Sequence, residues 1–331
     1  MNSSSTPVPE TIYPESALLL APLAGFTDFA YRRAARRCGC RFAFTEMVDA
    51  ASLAYASGRS SPLLYRGGDE EFLGVQLVGA EPELLRRACE ELSRHRFEVL
   101  DFNLGCPVPK VVKKGAGAAL GRRREQALSC FSVLREYSPF PLTAKLRILD
   151  AADPAPTIEL CRGLVELGAR ALTIHGRTLE HFYSGEVAAA IIGAVREALP
   201  GTPVIANGGV NSPESWAALR AASGCSRIML AQGAMGNPWL FREIAGGAPP
   251  SLAEWREVVL EHIDGMIELY GETTAMKCAR KIVHDYLRGR GFPGSLRAEA
   301  SLLSRRGDLL ALLERARPVS ASAPRKFSAN G

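Results

Sequence analysis

The sequence predicts an α/β protein, a (β/α)8 TIM barrel followed by a small all-helical C-terminal domain. Three observations predict it. Short apolar runs alternate eight times with stretches of helical period between residues 17 and 248. The runs are apolar on both faces, as in a parallel sheet covered by helices, and eight units in roughly 230 residues match a closed barrel. From Pro249 onward helical periodicity continues without strand signals. An open, doubly wound sheet is the architectural alternative. It is expected to carry GxGxxG after its first strand, where this chain has APLAGFTD.

The elements follow in order. A polar leader, residues 1–16, precedes a strand over Ala17 to Gly25, and Thr27 or Asp28 is placed to cap a helix running through Arg37. Strands two and three are Phe42 to Val48, ending near Glu46, and Phe72 to Gly79, with Gln76 in its middle. A helix over Glu81 to Arg94 leads to strand four, Glu98 to Cys106. A helix over Arg124 to Tyr137 precedes strand five, Leu142 to Ile148, which sets Lys145 and Arg147 two apart on one face. Helix Thr157 to Gly168, strand Ala171 to Arg177, helix Val187 to Leu199, strand Pro203 to Gly209, helix Pro213 to Ala222 and strand Arg227 to Gly233 complete the alternation. Asn237 and Pro238 open one further short helix. The helical domain, 249–317, is expected to hold three helices, Ser251 to Tyr270, Thr273 to Gly289 and Ser295 to Ala316, and the Ser/Ala/Pro-rich tail 318–331 to be disordered.

Composition narrows the class. A chain of 331 residues, 47% hydrophobic, can bury a large core. Its net charge of +5, from 40 basic and 35 acidic residues, is compatible with an anionic partner without demonstrating one. The eight cysteines are scattered without a paired CxxC, as in a reduced cytosolic protein. Cys38, Cys40 and His95 make too weak a ligand pattern for a metal, and none is assigned. The N-terminal segment has no secretory pattern, and no apolar run approaches the ~18 residues of a membrane span. A soluble, cytoplasmic protein is expected.

In a barrel the strands' carboxyl ends collect the active site, which brings Pro22, Glu46, Gln76, Asn103, Cys106, Lys145, His175, Arg177 and Asn207 to one mouth. A free cysteine is more often an inert core residue than a catalyst. Cys106 differs, because it sits on a Gly/Pro-bounded loop followed by Lys110, Lys113 and Lys114, a cationic segment suited to phosphates. Lysine within an apolar strand is costly unless it is paired or faces a ligand. A lone histidine is usually a satisfied core residue, but His175 stands at a strand end beside Gly176. The glycine turns Asn207-Gly208-Gly209 and Ala231-Gln232-Gly233 stand where barrels hold phosphate on backbone N–H groups. Glycine turns alone are weak evidence. Joined to Lys145 and His175 they fit flavin mononucleotide (FMN), with its phosphate on the turns, Lys145 at the N1/O2 edge and Gln76 on the pyrimidine side. In the helical domain Lys277, Arg280, Lys281 and Arg288 recur at near-helical spacing, a cationic face whose bland reading is solvation.

Taken together, APLAGFTDFAYR, TEM at Thr45, VQL at Val75, DFNLGCP, KLR at Lys145, LTIHGRT, VIANGG and GAMGNPWLFREI resemble the tRNA-dihydrouridine synthases, in order from Leu18 to about Ile244. ARKIVHDYL, Ala279 to Leu287, is similar to the RNA-binding helical domain of that family's bacterial branch. The resemblance implies an FMN barrel that uses NADPH to reduce the C5–C6 bond of tRNA uridines. It implies Cys106 as the general acid, protonating C5, and Asn103 as the residue orienting the uracil. Arg147 and Arg177 become substrate or cofactor contacts. Pro22, Leu23, Ala24, Gln76, Lys145, His175, Asn207, Gly208, Gly209, Ala231 and Gln232 become FMN contacts. The tRNA backbone falls to Lys110, Lys113, Lys114, Lys277, Arg280 and Lys281.

One departure stands out. The family pattern has Gly-Arg where this chain has Ala231-Gln232. Losing a guanidinium beside the phosphate removes on the order of 1.5 to 3 kcal/mol, so weaker FMN binding is expected. Two other readings are an FMN barrel reducing a small molecule, against which the basic helical domain argues, and an RNA-binding protein without catalysis, against which Cys106, Lys145 and His175 argue. A monomer is the default expectation.

Overall fold

The computed structural model describes residues 11–55 and 62–319. Within them eight parallel strands close into a barrel in sequence order, the last pairing with the first. The strands are β1 (Leu18–Leu20), β2 (Phe42–Asp49), β3 (Leu73–Val78), β4 (Val99–Leu104), β5 (Leu142–Arg147), β6 (Leu172–His175), β7 (Val204–Asn207) and β8 (Arg227–Leu230). Each expected strand is present, but most are shorter than the apolar run that announced them. Ala17 to Gly25 yields three strand residues, because Leu23 and Thr27 close a turn, Thr27 N–H and hydroxyl both donating to the Leu23 carbonyl.

Around the barrel lie α1 (Phe29–Arg37), α2 (Ala50–Ala54), α3 (Pro82–Leu92), α4 (Pro109–Val112), α5 (Ala118–Gly121), α6 (Arg124–Tyr137), α7 (Ala155–Glu166), α8 (Ala189–Ala198), α9 (Pro213–Ser223) and α10 (Leu240–Ile244). Asp28 caps α1, its carboxylate accepting from Tyr31 N–H at 2.9 Å, which settles the choice between Thr27 and Asp28. The lysine segment after Cys106 is not a plain loop. It folds into α4 and α5, with Pro109 at the start of α4, where a missing N–H costs nothing.

Strand alternation divides the core. Leu20, Val75, Leu77, Leu100, Phe102, Leu146, Ile174 and Ile228 face outward and pack against the helices. Leu19, Phe44, Val99, Ala171, Ile205 and Met229 fill the floor of the barrel interior. Tyr13 seals that floor from below, with ring centroids 5.7 Å from Phe42 and 5.5 Å from Phe72. Each of the fully buried Leu, Ile, Val, Phe and Met side chains among them contributes about 1.5–3 kcal/mol. Above the floor the inward positions turn polar, and there the barrel opens.

The C-terminal helices are α11 (Leu252–Tyr270), α12 (Glu272–Leu287), α13 (Gly294–Ala300) and α14 (Arg306–Arg315). The expected third helix is therefore two. The Asp308 carboxylate accepts from the backbone N–H groups of Ser304 and Arg305 and from the Ser304 hydroxyl, capping the start of a new helix after α13 has ended at Ala300. These helices dock on the barrel through α1. Arg37 pairs with Glu257 at 2.8 Å and Glu261 at 2.6 Å, over a buried cluster of Phe26, Tyr31, His262 and Tyr286. A second seam joins Gly236 to the end of α12, so close that a Cβ there would lie 2.3 Å from the Asp285 carbonyl carbon. Among the described residues no helix is long and apolar enough to cross a membrane.

Candidate active site at the barrel mouth

The parallel register aligns the polar positions side by side: Gln76 with Asp101, Asn103 with Lys145, Arg147 with His175 and His175 with Asn207. All but Lys145, which is partly buried, are buried. Burial of so many polar groups is tolerable only because they bond one another. Gln76 Nε2 donates to Asp101 Oδ2 at 2.7 Å, Thr143 Oγ1 to Asp101 Oδ1 at 2.7 Å, and Asn103 Nδ2 to Gln76 Oε1 at 2.8 Å. Asn207 Nδ2 donates to the Met229 carbonyl at 2.8 Å, and its Oδ1 accepts from Lys145 Nζ at 3.1 Å.

Cys106 follows β4 by two residues, half-buried, with its loop fixed at three points. Asn103 Oδ1 accepts from the N–H groups of Gly105 (3.1 Å) and Cys106 (2.8 Å), the Cys106 carbonyl accepts from Ala118 N–H (3.0 Å), and Arg147 Nε donates to the Gly105 carbonyl (2.8 Å). Gly117 makes the second contact possible: its φ is +59°, and a Cβ would lie 2.7 Å from the Cys106 carbonyl oxygen. Burial raises the Cys106 thiol above its ordinary value, and the Val108 backbone, Lys145 and Arg147 recover only part of the shift. The group is therefore a thiol, not a thiolate, at neutral pH.

Burial, with Arg147 next, lowers the Lys145 ammonium to about 8, while Asp101 and Cys106 oppose the fall. Among the described residues its bond to Asn207 is the one hydrogen bond it makes within the chain, so two of its three N–H groups remain for a ligand acceptor. Burial also raises the Asp101 carboxyl to about 6, against the bonds from Gln76 and Thr143. His175 is held neutral, first by burial and then by Lys145, Arg147 and Arg177. Arg177 Nη1 lies 3.3 Å from His175 Nε2, and since arginine only donates, Nε2 is the acceptor and the ring proton sits on Nδ1.

The sequence-predicted residues thus divide. Gln76, Asn103, Cys106, Lys145, Arg147, His175 and Asn207 come together in one polar ring. Pro22, Leu23 and Ala24 form the β1 turn at the rim, tied to β2 by Gly25 N–H donating to Glu46 Oε2 at 2.6 Å. Gly208 and Gly209, both at positive φ, and Ala231 and Gln232 form the two turns after β7 and β8. Arg147 and Arg177 are partly engaged within the chain. Arg147 also donates to the Thr178 carbonyl at 3.1 Å, and Arg177 donates twice to the Gly185 carbonyl, at 3.0 and 2.9 Å. Lys110 and Lys113 are exposed on α4 and its end, whereas Lys114 pairs with Asp49 at 2.8 Å. Lys277 and Lys281 are exposed on α12, and Arg280 Nε donates to the Leu303 carbonyl at 2.8 Å.

Three groups at the site escaped the sequence reading. Asp101 and Thr143 lie between apolar neighbours, and only their period-2 register with Asn103 and Lys145 marks them as inward. Tyr183, in the loop after β6, brings its ring 5.5 Å from the Arg147 guanidinium, and its hydroxyl is raised by burial and by Cys106. The aromatic pair in HFYSG was its one signal, with Phe182 at a φ of +50°. Among the described residues no group of three His, Cys, Asp or Glu side chains could hold a metal ion. Cys38 and Cys40 are buried, their thiols pushed by burial up to about 12.

A sequence model of the family described as dihydrouridine synthase matches residues 19–322. The chain is 32% identical over 280 residues to tRNA-dihydrouridine synthase B of Shewanella oneidensis, covering 82% of this chain and 87% of that protein. It is 32% identical over 297 residues to tRNA-dihydrouridine synthase B of Xanthomonas campestris pv. campestris, covering 88% and 89%. It is also 32% identical over 277 residues to tRNA-dihydrouridine synthase B of Pseudomonas aeruginosa, covering 82% and 83%.

Proposed function

The chain belongs to the dihydrouridine synthase family, and we propose that it reduces the C5–C6 double bond of uridines in tRNA to 5,6-dihydrouridine. FMN is the proposed resident cofactor, and when bound it supplies the hydride for uracil C6, with NADPH as the ultimate reductant. The donor set suits that group. Lys145 offers two N–H groups to an electron-rich ring edge, Gln76, His175 and Asn207 line the same wall, and Pro22, Leu23 and Ala24 border it. The turns at Gly208-Gly209 and Ala231-Gln232 would hold the phosphate, without the guanidinium that the family pattern carries at Gln232.

The observation that carries the reading is the state of Cys106, a thiol kept protonated at the mouth and fixed by Asn103 and Arg147. Hydride addition to C6 leaves electron density on C5, which must take up a proton for net addition of two hydrogens. Cys106 Sγ–H donates that proton, and the thiolate left behind, between the cations Lys145 and Arg147, is reprotonated from solvent. Asn103 and Arg147 orient the uracil edge. Arg177, through its bond to His175, keeps that imidazole neutral and correctly turned. Residues 249–317 serve as a tRNA-binding helical domain, with Lys110, Lys113, Lys114, Lys277, Arg280 and Lys281 along the backbone path. The target base must leave its stack, which loop nucleotides do at little cost.

The test is dihydrouridine content, by nucleoside mass spectrometry, in tRNA lacking the modification after incubation with the protein, FMN and NADPH. Product from the wild type and its near loss in Cys106→Ala is the expected result. A wild type that binds flavin yet makes no dihydrouridine would overturn the proposal.

A further inference from the structure

Four consecutive hydrogen-bonding units run through the barrel interior from the Asp101 carboxylate to the backbone of the cysteine loop. Asp101 Oδ2 accepts from Gln76 Nε2 (2.7 Å), Gln76 Oε1 from Asn103 Nδ2 (2.8 Å), and Asn103 Oδ1 from the N–H groups of Gly105 and Cys106 (3.1 and 2.8 Å). The three side chains are 1%, 0% and 7% exposed, so water offers no substitute partner. The ends of this chain are chemically one-way. An ionised carboxylate only accepts, and a backbone N–H only donates. The two amides between them can each point either way in principle, but only one direction satisfies every member.

We propose that Asp101 is a positioning residue for Cys106: it supplies the buried acceptor on which the Gln76–Asn103 relay ends, in the one direction that presents the Asn103 oxygen to the Cys106 loop. Flip either amide and two acceptors or two donors meet in the interior. Thr143 Oγ1, donating to the other Asp101 oxygen at 2.7 Å, leaves that carboxylate facing the relay with an acceptor. The proposal rests on the reading of Cys106 as the acid only for its consequence in turnover. The relay itself is tested without flavin or tRNA.

Reversing the relay is the test, read by amide hydrogen exchange of Gly105 and Cys106 in the full-length apoprotein. Asn103→Asp places a carboxylate against Gln76 Oε1. Gln76 can turn only by setting its oxygen against Asp101, and loop exchange should quicken about tenfold. Asp101→Asn alone retains an oxygen for Gln76 and should stay within about threefold of wild type. In the double variant Asp101→Asn/Asn103→Asp the two side-chain links can run backwards, the introduced amide donating to Gln76 and Gln76 to one oxygen of the introduced carboxylate, while its other oxygen still accepts from the loop N–H groups, and protection should return. Relief of repulsion between two carboxylates would restore protection equally in Asp101→Leu/Asn103→Asp, which supplies no donor. The proposal requires that this variant remain fast. Equal rescue by leucine, or no rescue by asparagine, overturns it. Should Asn103→Asp fail to fold, the same question is answered by whether the asparagine double variant folds and the leucine one does not. Failure of the enzymatic reading would appear separately, as absence of dihydrouridine with the relay intact.

Discussion

Replacing Lys145 with methionine separates two quantities that its ammonium links with opposite sign, the stability of the empty barrel and the hold on a flavin edge. Burial, then Arg147, takes that ammonium from its ordinary 10.5 to about 8. At about 1.4 kcal/mol per tenfold change in proton affinity, the folded state bears a cost of roughly 3 kcal/mol while the lysine is charged. Lys145 keeps part of its surface open at the mouth, so water screens some of this, and about 1–3 kcal/mol is expected. Its sign with pH follows from linkage. The unfolded chain binds the lysine proton more tightly than the folded one, so the penalty is complete below pH about 8 and fades between 8 and 10.5. Methionine matches the aliphatic stem without the charge. Apo Lys145→Met should therefore be more stable than wild type at pH 7 by about 1–3 kcal/mol, and the gain should shrink toward pH 10. Flavin affinity moves the other way. In the proposed FMN site the charged form would meet the ring edge, so FMN should bind about tenfold or more weakly to the variant, and wild-type affinity should fall as pH climbs through 8. Urea unfolding of apoprotein, followed by circular dichroism, and quenching of FMN fluorescence between pH 6.5 and 9.5 measure the two. An apo variant no more stable than wild type at pH 7, or a flavin affinity flat across that range, would refute the reasoning.

Three further outcomes are expected. Gly236→Ala should cost at least about 2 kcal/mol more in urea unfolding than Gly246→Ala, because both stand at positive φ but only the first drives a Cβ into the backbone of Asp285 and Tyr286; equal losses would show that the seam simply parts. Gln232→Arg should tighten FMN by about tenfold by restoring a charge-assisted phosphate contact, and an unchanged titration would mean that backbone N–H groups alone set the affinity. Lys277→Glu and Lys281→Glu should each weaken tRNA binding and flatten its salt dependence by about one in slope per lysine, leaving FMN affinity unaltered; an unmoved slope would take α12 out of the interface.

The barrel was legible because its signal is repetitive. Eight apolar runs, each needing cover on two faces, call for a parallel sheet between helices, and APLAGFTD in place of GxGxxG favours the closed form over the open one. Element ends were less legible, since a run such as ALLLAPLAG stays apolar past the last ladder bond and the chain instead closes a local turn through the Thr27 contacts with Leu23. The break between α13 and α14 has the same character. An apolar helical period runs on through Leu302 and Leu303, yet α13 ends at Ala300 and the Asp308 carboxylate, reaching back to Ser304 and Arg305, starts a new helix. Long-range closeness was invisible altogether, and Gly236 against Asp285 is the clearest case.

The site shows a sharper version of that division. Side chains that break an apolar strand, such as Lys145 and His175, announce themselves because burying them demands a reason. Asp101 breaks its strand no less, yet its reason lies in partners 25 and 42 residues away, Gln76 and Thr143, and in a direction of donation that no residue pattern encodes. Gln76 and Asn103 could be picked out as ligand contacts without any sign that they also bond each other. That bond limits what each can do. Gln76 has one amide hydrogen left for a ligand, and the Asn103 oxygen is already held by two backbone N–H groups. Whatever uracil edge Asn103 meets must therefore accept, which leaves the carbonyl oxygens of the base as its partners and excludes the N3–H. The same network that fixes the Cys106 loop thus limits which edge of a base could enter beside it.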